Sequence, residues 1–285
     1  AMLYAANIYL RTAIKILQPL TTFRADDVQE LYDQILAFNW SEVMDVDDTF
    51  TIDNTVFSTT FTHSNYAALK MKDALVDHFR NKFGRRPDVN KLDPTYRFNI
   101  RIKENEVSIA LDSSGESLHK RGYRTETHAA PMSEVQAAGL ILLSGWDVNQ
   151  PLYDPMCGSG TIPIEAALIA NQIAPGLIRK TYGFQKWKDY DASLFRQLMV
   201  AAAGEVQQRR LAIIGSDISS RNIVMAIKHA GNAMPENSIK FFTKAFEDAE
   251  PPRDKGVLII NPPYGERLQP EHIIEFYKTI GNVLK

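Results

Sequence analysis

The chain has 285 residues, of which 45% are hydrophobic and 23% are charged, a composition typical of a folded protein of about two domains rather than of a disordered one. Its 32 Lys and Arg nearly balance its 34 Asp and Glu, so any surface for nucleic acid must be local. One cysteine excludes an internal disulfide, and the six scattered histidines give no zinc-binding spacing, so no metal site is expected. Every apolar run is far shorter than the roughly 20 residues of a membrane helix. We therefore expect a cytoplasmic protein that does not enter a membrane.

The first 50 residues predict helices. Apolar residues between 3 and 17 recur near helical spacing. A second amphipathic run spans 28–38 and follows the acidic pair Asp26 and Asp27, which suits a helix N-terminus. Two helices are too few for a domain, so we interpret this segment as a fragment of one.

The next segment predicts a strand, a helix and a hairpin. Alternating residues predict a strand at 50–61. An apolar stripe then predicts a helix that begins at Ser64 or Asn65 and is closed by Gly84. Residues 98–111 alternate on either side of a polar turn, which indicates a β-hairpin.

The segment 53–124 is locally basic, with 13 Lys and Arg against 9 Asp and Glu. An ordinary solvated face explains such an excess. A platform that contacts nucleic-acid phosphates explains it equally well, because Lys and Arg replace condensed counterions without reading the sequence. Charge alone leaves both interpretations open.

The second half of the chain alternates short strands with helices. Strands are predicted at 151–153, 211–215 and 257–260, and helices at 134–143, 162–173, 219–230 and 271–284. This alternation predicts a doubly wound, mostly parallel α/β sheet. Ligands bind such sheets at the carboxyl ends of the strands, and three polar motifs of this chain fall there.

The first motif, at 154–160, reads Asp-Pro-Met-Cys-Gly-Ser-Gly and follows a strand directly. Gly158 and Gly160 have no side chains, which would let a ligand approach the backbone. No Gly-Lys-Ser/Thr follows, which disfavours a phosphate-binding loop, and Pro163 stands where a dinucleotide-binding loop has its third glycine. The motif therefore favours an adenosine-containing ligand without a pyrophosphate, and a plain strand-to-helix turn is the alternative.

The second motif is a carboxylate at the end of the next strand. Asp217 could accept hydrogen bonds from both hydroxyls of a ribose, as acidic residues do at this place in adenosine-binding sheets. Alternatively, Asp217 or Ser219 caps the following helix. The two roles are compatible.

The third motif is Asn261-Pro262-Pro263-Tyr264, which follows an apolar strand. The two prolines stiffen the backbone, so the carbonyl of Pro262 and the side-chain oxygen of Asn261 could accept hydrogen bonds from one planar amino group. Tyr264 adds an aromatic face for a base extruded from its stack. A simple proline turn would leave this combination unexplained.

Residues 154–165 and 261–268 resemble the class I S-adenosylmethionine-dependent methyltransferases that act on exocyclic amines of RNA guanine. Residues 64–77 and 117–124 are similar to the THUMP module and its exit segment in the bacterial 23S ribosomal RNA guanine-N2 methyltransferases. Trp187 and its neighbours resemble an insertion that these enzymes carry. The resemblance extends over nearly the whole chain.

The resemblance implies an α/β fold, namely a Rossmann-like class I methyltransferase sheet with an N-terminal α+β THUMP-type RNA-binding domain. It implies a partial ferredoxin-like segment at 1–50, a THUMP-like domain at 51–125 and a methyltransferase domain at 126–285. Because 21 residues follow Tyr264, the last strands of the family's sheet are expected to be absent from this chain.

The resemblance also implies the reaction, in which a methyl group passes from S-adenosylmethionine to the exocyclic N2 of a guanine in RNA, with 23S ribosomal RNA preferred and S-adenosylhomocysteine as product. The implied catalytic residues are Asn261, Pro262 and Tyr264. The implied cofactor-binding residues are Asp154, Pro155, Cys157, Gly158, Ser159, Gly160, Thr161, Asp217, Ile218, Glu134 and Asn261. The implied RNA contacts are Arg97, Arg101, Lys120, Arg121 and Arg124.

One departure from the family pattern follows the third strand. Where relatives place an Asp near the adenine, this chain has Ala245, so Glu247 or Asp248 is expected to substitute. Ala130 and Pro131 match the family's segment before the first strand. The alternatives are an adenine-N6 DNA methyltransferase, a tRNA guanine-N2 methyltransferase, an inactive RNA-binding scaffold and a nicotinamide dehydrogenase.

Overall fold

The computed structural model describes residues 1–61, 63–125, 132–233, 238–250, 255–262 and 270–283. Contacts divide the chain into two compact units. The first unit comprises Ala1–Asn7, Lys15–Ser117 and Thr181–Arg196, and the second comprises Ile8–Ile14, Leu118–Lys180 and Gln197–Lys285. The domain boundaries expected after residues 50 and 125 stay a prediction.

Nine strands and nine α-helices occur in the described residues. The helices are α1 (Met2–Tyr9), α2 (Val28–Ala37), α3 (Trp40–Val43), α4 (Ser64–Phe83), α5 (Glu134–Leu143), α6 (Thr161–Ala170), α7 (Ala192–Gly204), α8 (Ser220–Ala233) and α9 (Pro270–Val283). The strands are β1 (Leu17–Arg24), β2 (Thr49–Phe57), β3 (Asp88–Val89), β4 (Tyr96–Lys103), β5 (Glu106–Asp112), β6 (Leu152–Asp154), β7 (Ile213–Asp217), β8 (Ile239–Thr243) and β9 (Val257–Leu258). Short 3-10 helices lie at Pro175–Leu177, Gly183–Lys186 and Phe246–Asp248.

The first unit contains a five-stranded mixed sheet in the order β1-β5-β4-β2-β3. On β4, buried apolar residues from Tyr96 to Ile102 alternate with Arg97, Asn99 and Arg101, so one face of the sheet is apolar and the other polar. Helix α4 packs on β2 and against α2. It ends, as expected, at Gly84, whose left-handed backbone (φ 69°) lets its N–H donate to Arg80 O.

The segment 181–196 joins the first unit through aromatic packing. The Trp187 ring stacks on Tyr96, with centroids 6.5 Å apart and planes at 9°. Phe184 stacks on Tyr4 with centroids 4.5 Å apart. The segment that resembled a family insertion therefore completes the core of the unit that contains the mixed sheet.

The second unit contains a four-stranded parallel sheet in the order β8-β7-β6-β9. Apolar side chains of α5, α6, β6, β7 and β8 form its core. Asp154 and Asp217 are the last residues of β6 and β7, which are neighbours. Because parallel strands end at the same edge of a sheet, this topology brings the first two polar motifs together.

The helix expected over 3–17 is correct only to Tyr9. Residues 17–24 form β1, which pairs antiparallel with β5. Pro19 lies inside this segment, and proline is excluded from the interior of a helix. An edge strand tolerates proline, and β1 is at the edge of its sheet. In the described residues, no helix is long and apolar enough to span a membrane.

We expect Gly160→Ala to destabilise the second unit more than Gly145→Ala. Both glycines have positive φ, 84° and 65°, so each alanine costs about 1–2 kcal/mol of unfolding free energy. A Cβ at Gly160 would also lie 2.9 Å from the Cβ of Ala226, whereas nothing lies within 4 Å at Gly145. This overpacking adds about 1–3 kcal/mol. Urea unfolding of the ligand-free variants measures the difference, and equal losses would contradict the packing.

Candidate functional site

A cavity of about 350 Å³ lies in the second unit where β6 and β7 end. Nine of the residues predicted from the sequence to hold a cofactor line it: Asp154, Pro155, Cys157, Gly158, Ser159, Thr161, Asp217, Ile218 and Asn261. All three polar motifs therefore contribute to one space. Its volume lies in the range of small-molecule binding sites, which is about 300–1,000 Å³.

The loop after β6 is held by hydrogen bonds to the end of β7. The Gly158 N–H donates to Asp217 Oδ2 at 2.9 Å, and the Cys157 N–H donates to Ser216 O at 2.9 Å. Gly158 adopts a positive φ of 53°, and nothing lies within 4 Å of where its Cβ would be. The backbone at Gly158 is thus open on the side where a Cβ would stand, and its contact with a ligand stays a prediction.

Gly160 serves a different purpose from the one that the sequence suggested. It does not line the cavity. A Cβ there would lie 2.9 Å from the Ala226 Cβ and 3.2 Å from the Phe241 ring. The expectation that its missing side chain makes room for a ligand is therefore wrong: the space is used by α8 and β8.

Asp154 is a buried acid at the wall of the cavity. Its side chain is 1% exposed, and its Oδ1 accepts a hydrogen bond from the Met156 N–H at 3.2 Å. Burial raises the pKa of Asp154 to about 8, the Met156 hydrogen bond opposes this shift, and the charge of Asp217 adds to it. A carboxyl that titrates near neutrality therefore borders the cavity.

Asp217 accepts hydrogen bonds at the start of α8, and its predicted bonds to a ribose stay a prediction. Its Oδ1 accepts from the Ser219 N–H at 2.9 Å and from Asn222 Nδ2 at 3.0 Å. The cap of α8 falls to Ser219, whose Oγ accepts from the Asn222 N–H at 3.4 Å. A carboxylate accepts about four hydrogen bonds, so Asp217 can still bind a ligand hydroxyl from within the cavity.

Cys157 is a neutral thiol in this environment. It is 7% exposed, and burial, followed by the charges of Asp154 and Asp217, raises the pKa of its thiol well above the usual range. A raised pKa disfavours the thiolate, which is the reactive form. Cys157 therefore contributes shape rather than nucleophilic chemistry.

Asn261 and three residues that sequence reasoning missed, Asn222, Phe246 and Phe276, also line the cavity. Glu247, one of the two acidic residues that the sequence offered, lines it as well and Asp248 does not, which favours Glu247 over Asp248. A signal for Asn222 existed, because it lies in the first turn of the helix that follows the strand-end Asp217. Pro262 does not line the cavity, and Ala130, Pro131 and Tyr264 lie outside the described residues.

Arg121 was predicted to contact RNA, and the structure places it in the interior instead. Its side chain is 2% exposed, its Nη1 donates to Leu118 O at 2.7 Å, and its Nη2 donates to Arg11 O. Its Nε lies 3.6 Å from Glu165 Oε1. The positive charge of Arg121 is therefore paired inside the fold, because the buried carboxylate of Glu165 needs a cation nearby.

Arg124 and Glu134 lie behind the cavity wall. Arg124 Nη1 lies 3.5 Å from Glu134 Oε2, and both side chains are largely buried. Arg124 Nη2 also donates to Met132 O and to Thr161 Oγ1. The guanidinium of Arg124 is thus engaged within the fold, its predicted contact with RNA stays a prediction, and Glu134 does not line the cavity.

The other predicted RNA contacts are compatible with a surface role. Arg101 is exposed on the polar face of the first unit's sheet, and Arg97 on the same face lies 3.3 Å from Asp53 Oδ1. Lys120 is exposed in the second unit. Their contacts with RNA stay a prediction.

A family model of the RMKL-like methyltransferase domain matches residues 121–285, more than half of the chain, and a model of the THUMP domain matches residues 25–112. The chain belongs to the RMKL-like methyltransferase family. The predicted combination of a THUMP domain with a methyltransferase α/β domain is confirmed.

Two curated proteins are similar to this chain over nearly its whole length. This chain is 39% identical over 288 residues to a proposed RNA methyltransferase of Synechocystis, and the match covers 100% of this chain and 75% of that protein. It is 42% identical over 271 residues to the ribosomal RNA large subunit methyltransferase K/L of Psychromonas ingrahamii, covering 93% of this chain. The chain spans 36% of the length of that second relative.

Solved structures of relatives share the fold. A predicted N6-adenine-specific DNA methylase from Listeria monocytogenes superposes with a TM-score of 0.88 at 32% identity, covering 99% of this chain and 74% of that one. SMU.472, a proposed methyltransferase complexed with SAH, superposes with a TM-score of 0.85 at 31% identity, covering 99% of this chain and 75% of that one.

We expect Asp154→Asn to change how stability depends on pH. The pKa of Asp154 rises from 3.8 to about 8 in the folded protein, so the folded state binds the proton more tightly than the unfolded state. The stabilisation from this proton is complete below about pH 4 and is lost as pH rises through about 8. Urea unfolding from pH 5 to 9 should show the wild type losing free energy relative to the variant. Parallel pH profiles would contradict the shift.

Proposed function

We propose that this methyltransferase transfers a methyl group from S-adenosylmethionine to the exocyclic N2 of a guanine in RNA, with 23S ribosomal RNA as its substrate. S-adenosylmethionine is the cofactor. The observation that carries the proposal is that Gly158, Asp217 and Asn261 line one cavity. This supports the proposal, because a loop suited to adenosine and an acceptor suited to an amine would then share one space.

The residues present fit this cofactor. The open backbone at Gly158 leaves room for the ligand beside the loop after β6. Asp217 would accept from the ribose hydroxyls, and Glu247 and Phe246 would border the adenine. Residues 154–161 would hold the methionine part.

Asn261 would hold the amine that receives the methyl group. The bound cofactor supplies an electrophilic methyl group on a sulfonium, so the protein has mainly to align the acceptor. The guanine N2 is a weak nucleophile because its lone pair is delocalised into the ring. Acceptors at Asn261 and at the Pro262 carbonyl would favour a tetrahedral nitrogen and stabilise its developing positive charge. The methylated amine is acidic and can lose its proton to water, so we assign no catalytic base.

The base must leave its stack to reach this site. In structured RNA a guanine N2 is accessible to an enclosed cavity only when the nucleotide is extruded. We assign Tyr264, which directly follows the two prolines, to stacking on the extruded base. Phe276 of α9 lines the same cavity.

The RNA assignment rests on the THUMP domain and on the name of the Psychromonas relative, a ribosomal RNA large subunit methyltransferase. The polar face of the first unit's sheet, which carries Arg97, Arg101 and Lys103, offers positive charge for phosphates. The single cysteine is a free thiol, which is consistent with a reducing compartment such as the cytoplasm.

A second candidate is methylation of adenine N6 in DNA. The Listeria relative is titled a predicted N6-adenine-specific DNA methylase, and an Asn-Pro-Pro-Tyr turn suits any planar exocyclic amine. A direct comparison decides between the candidates, with unmodified 23S ribosomal RNA, unmodified transfer RNA and duplex DNA as methyl acceptors. Transfer to adenine in the DNA alone would overturn the RNA proposal.

We expect Asn261→Ala to lower kcat for methyl transfer by at least about 100-fold, because one acceptor for the developing charge is lost. Affinity for S-adenosylmethionine should stay within a few fold of the wild type. Single-turnover transfer and calorimetric titration measure the two quantities. Asn149→Ala, in an exposed loop, is the matched control. Near-normal turnover of Asn261→Ala would place the acceptor site elsewhere.

We expect replacing Arg101 and Lys103 by Gln to weaken RNA binding and to flatten its salt dependence. Each lost phosphate contact lowers the slope of log K against log salt by about 0.7–0.9. Fluorescence anisotropy with a ribosomal RNA fragment measures this slope between about 50 and 200 mM salt, the range over which such contacts weaken binding. Lys82→Gln, on helix α4, is the control for lost charge. An unchanged slope in the double variant would remove the polar face from the interface.

A further inference from the structure

One end of the polar face of the first unit's sheet carries an exposed aromatic ring. Phe57, the last residue of β2, is 64% exposed. It is in register with Lys103 of β4, so both side chains lie on the same face, on strands about 4.8 Å apart. One exposed apolar side chain is ordinary on a protein surface. The residues around Phe57 therefore decide whether its exposure has a use.

The apolar face of the same sheet is the one that the helices cover. Phe98, Ile100 and Ile102 of β4 are fully buried, and the Trp40 ring of α3 lies edge-on to Phe98 with centroids 5.3 Å apart. Helix α4 packs on β2 from this side. Because side chains alternate along a strand, Phe57 lies on the face away from these helices. Its ring therefore does not belong to the core.

Paired charges occupy the far end of the polar face. Lys15 Nζ lies 2.8 Å from Asp53 Oδ2 and 2.9 Å from Asp112 Oδ2. Arg97 Nη1 lies 3.3 Å from Asp53 Oδ1. Two cations thus face two acids there, and little positive charge is left for a ligand.

The cations at the Phe57 end keep their charge. Arg24, Arg101 and Lys103 are exposed, and among the residues that the structure describes none of the three has an ion-pair or hydrogen-bond partner. Glu106 lies between Arg24 and Lys103 in the register of the strands. Arg101 lies two residues from Lys103, about 6.6 Å along β4. Three cations on the strands therefore stand against one acid, beside an aromatic ring.

A ring beside unpaired cations suits an unpaired nucleotide. Single strands bind proteins by stacking bases on aromatic side chains while cations contact the phosphates. In duplex RNA the bases are stacked inside the helix, and its major groove is too deep and narrow for side chains to read. A duplex could therefore use the cations of this face but not Phe57. Phenylalanine has no hydrogen-bonding group, so the stacking would tolerate any base.

We propose that Phe57, Arg24, Arg101 and Lys103, which we call the stacking platform, bind an unpaired segment of the substrate RNA. One base stacks on the Phe57 ring, and the phosphates beside it contact the three cations. The inference rests on the proposed function, since it takes RNA as the substrate. It adds that the RNA is single-stranded where it meets the first unit, and it names a contact residue that the sequence did not indicate.

Fluorescence anisotropy tests the platform with one labelled RNA strand of about 12 nucleotides, used free and annealed to its complement. Phe57→Ala should lower the affinity for the free strand about 5–150-fold, the effect of removing one base–aromatic stack, and leave that for the duplex nearly unchanged. An unchanged affinity for the free strand, or an equal loss for both forms, would overturn the inference alone. Wild type that binds neither form would contradict RNA as the substrate and with it the proposed function.

Further substitutions separate stacking from apolar contact. Phe57→Tyr keeps an aromatic ring and should retain nearly all of the affinity for the free strand. Phe57→Leu keeps an apolar side chain without a ring and should lose most of it, so retention by the leucine variant would overturn the stacking. The matched control is Phe242→Ala, which removes a phenylalanine that is 50% exposed on β8 of the second unit.

The platform should act on RNA binding and not on the reaction. Single-turnover methyl transfer by Phe57→Ala should need more RNA for its half-maximal rate and should reach nearly the wild-type rate at saturating RNA, because this contact is equally strong in the ground state and the transition state. A lower rate at saturation with unchanged half-saturation would overturn the inference. Polyglutamate that displaces the free strand as well as unlabelled RNA does would assign the face to acidic protein segments and would overturn it too.

Discussion

The hydrogen bond from the Gly158 N–H to Asp217 Oδ2 is the constraint on which the site depends. It ties the loop after one strand to the end of its neighbour, and the Cys157 N–H to Ser216 O bond repeats the tie. Both bonds exist because β6 and β7 are adjacent and parallel and end at one edge. The open backbone of Gly158 is therefore already in position without a ligand, which lowers the ordering cost of binding.

Buried charge explains why several arginines could not be assigned from the sequence. Glu165 is fully buried in α6, and burial raises its pKa, while Arg121 opposes that shift. Arg11 Nη2 donates to Ile173 O at 2.8 Å and to Leu168 O at 3.4 Å, next to the end of α6. A count of charges assumes that every basic residue lies on the surface. Here the arginine side chains instead pair with buried carboxylates and donate to backbone carbonyls of one helix and the residues beside it.

Sequence patterns predicted the elements whose faces and ends are determined by residues close together in the sequence. Helix α5 has the bounds that its apolar pattern indicated, and Gly84 closes α4 in the left-handed conformation that favours glycine. The edge strand β1 was missed because its pairing with β5 is distant in sequence and its alternation is interrupted at Pro19. Within the cavity, Asp217 and Asn261 could be found at strand ends, whereas Phe276 comes from a helix whose packing no local pattern specifies.

The two units do not follow sequence order, and buried charges lie together within the second unit. Residues Ile8–Ile14 belong to the second unit with Arg121 and Arg124. A fragment that began at residue 126 would retain Glu165 and Glu134 but lose the arginines beside them. Removing one partner of a buried ion pair costs about 3–5 kcal/mol, a large part of the stability of a typical domain, about 5–15 kcal/mol. The segment that carries Arg121 and Arg124 is therefore part of the methyltransferase core, because these side chains pair with the buried carboxylates of Glu165 and Glu134.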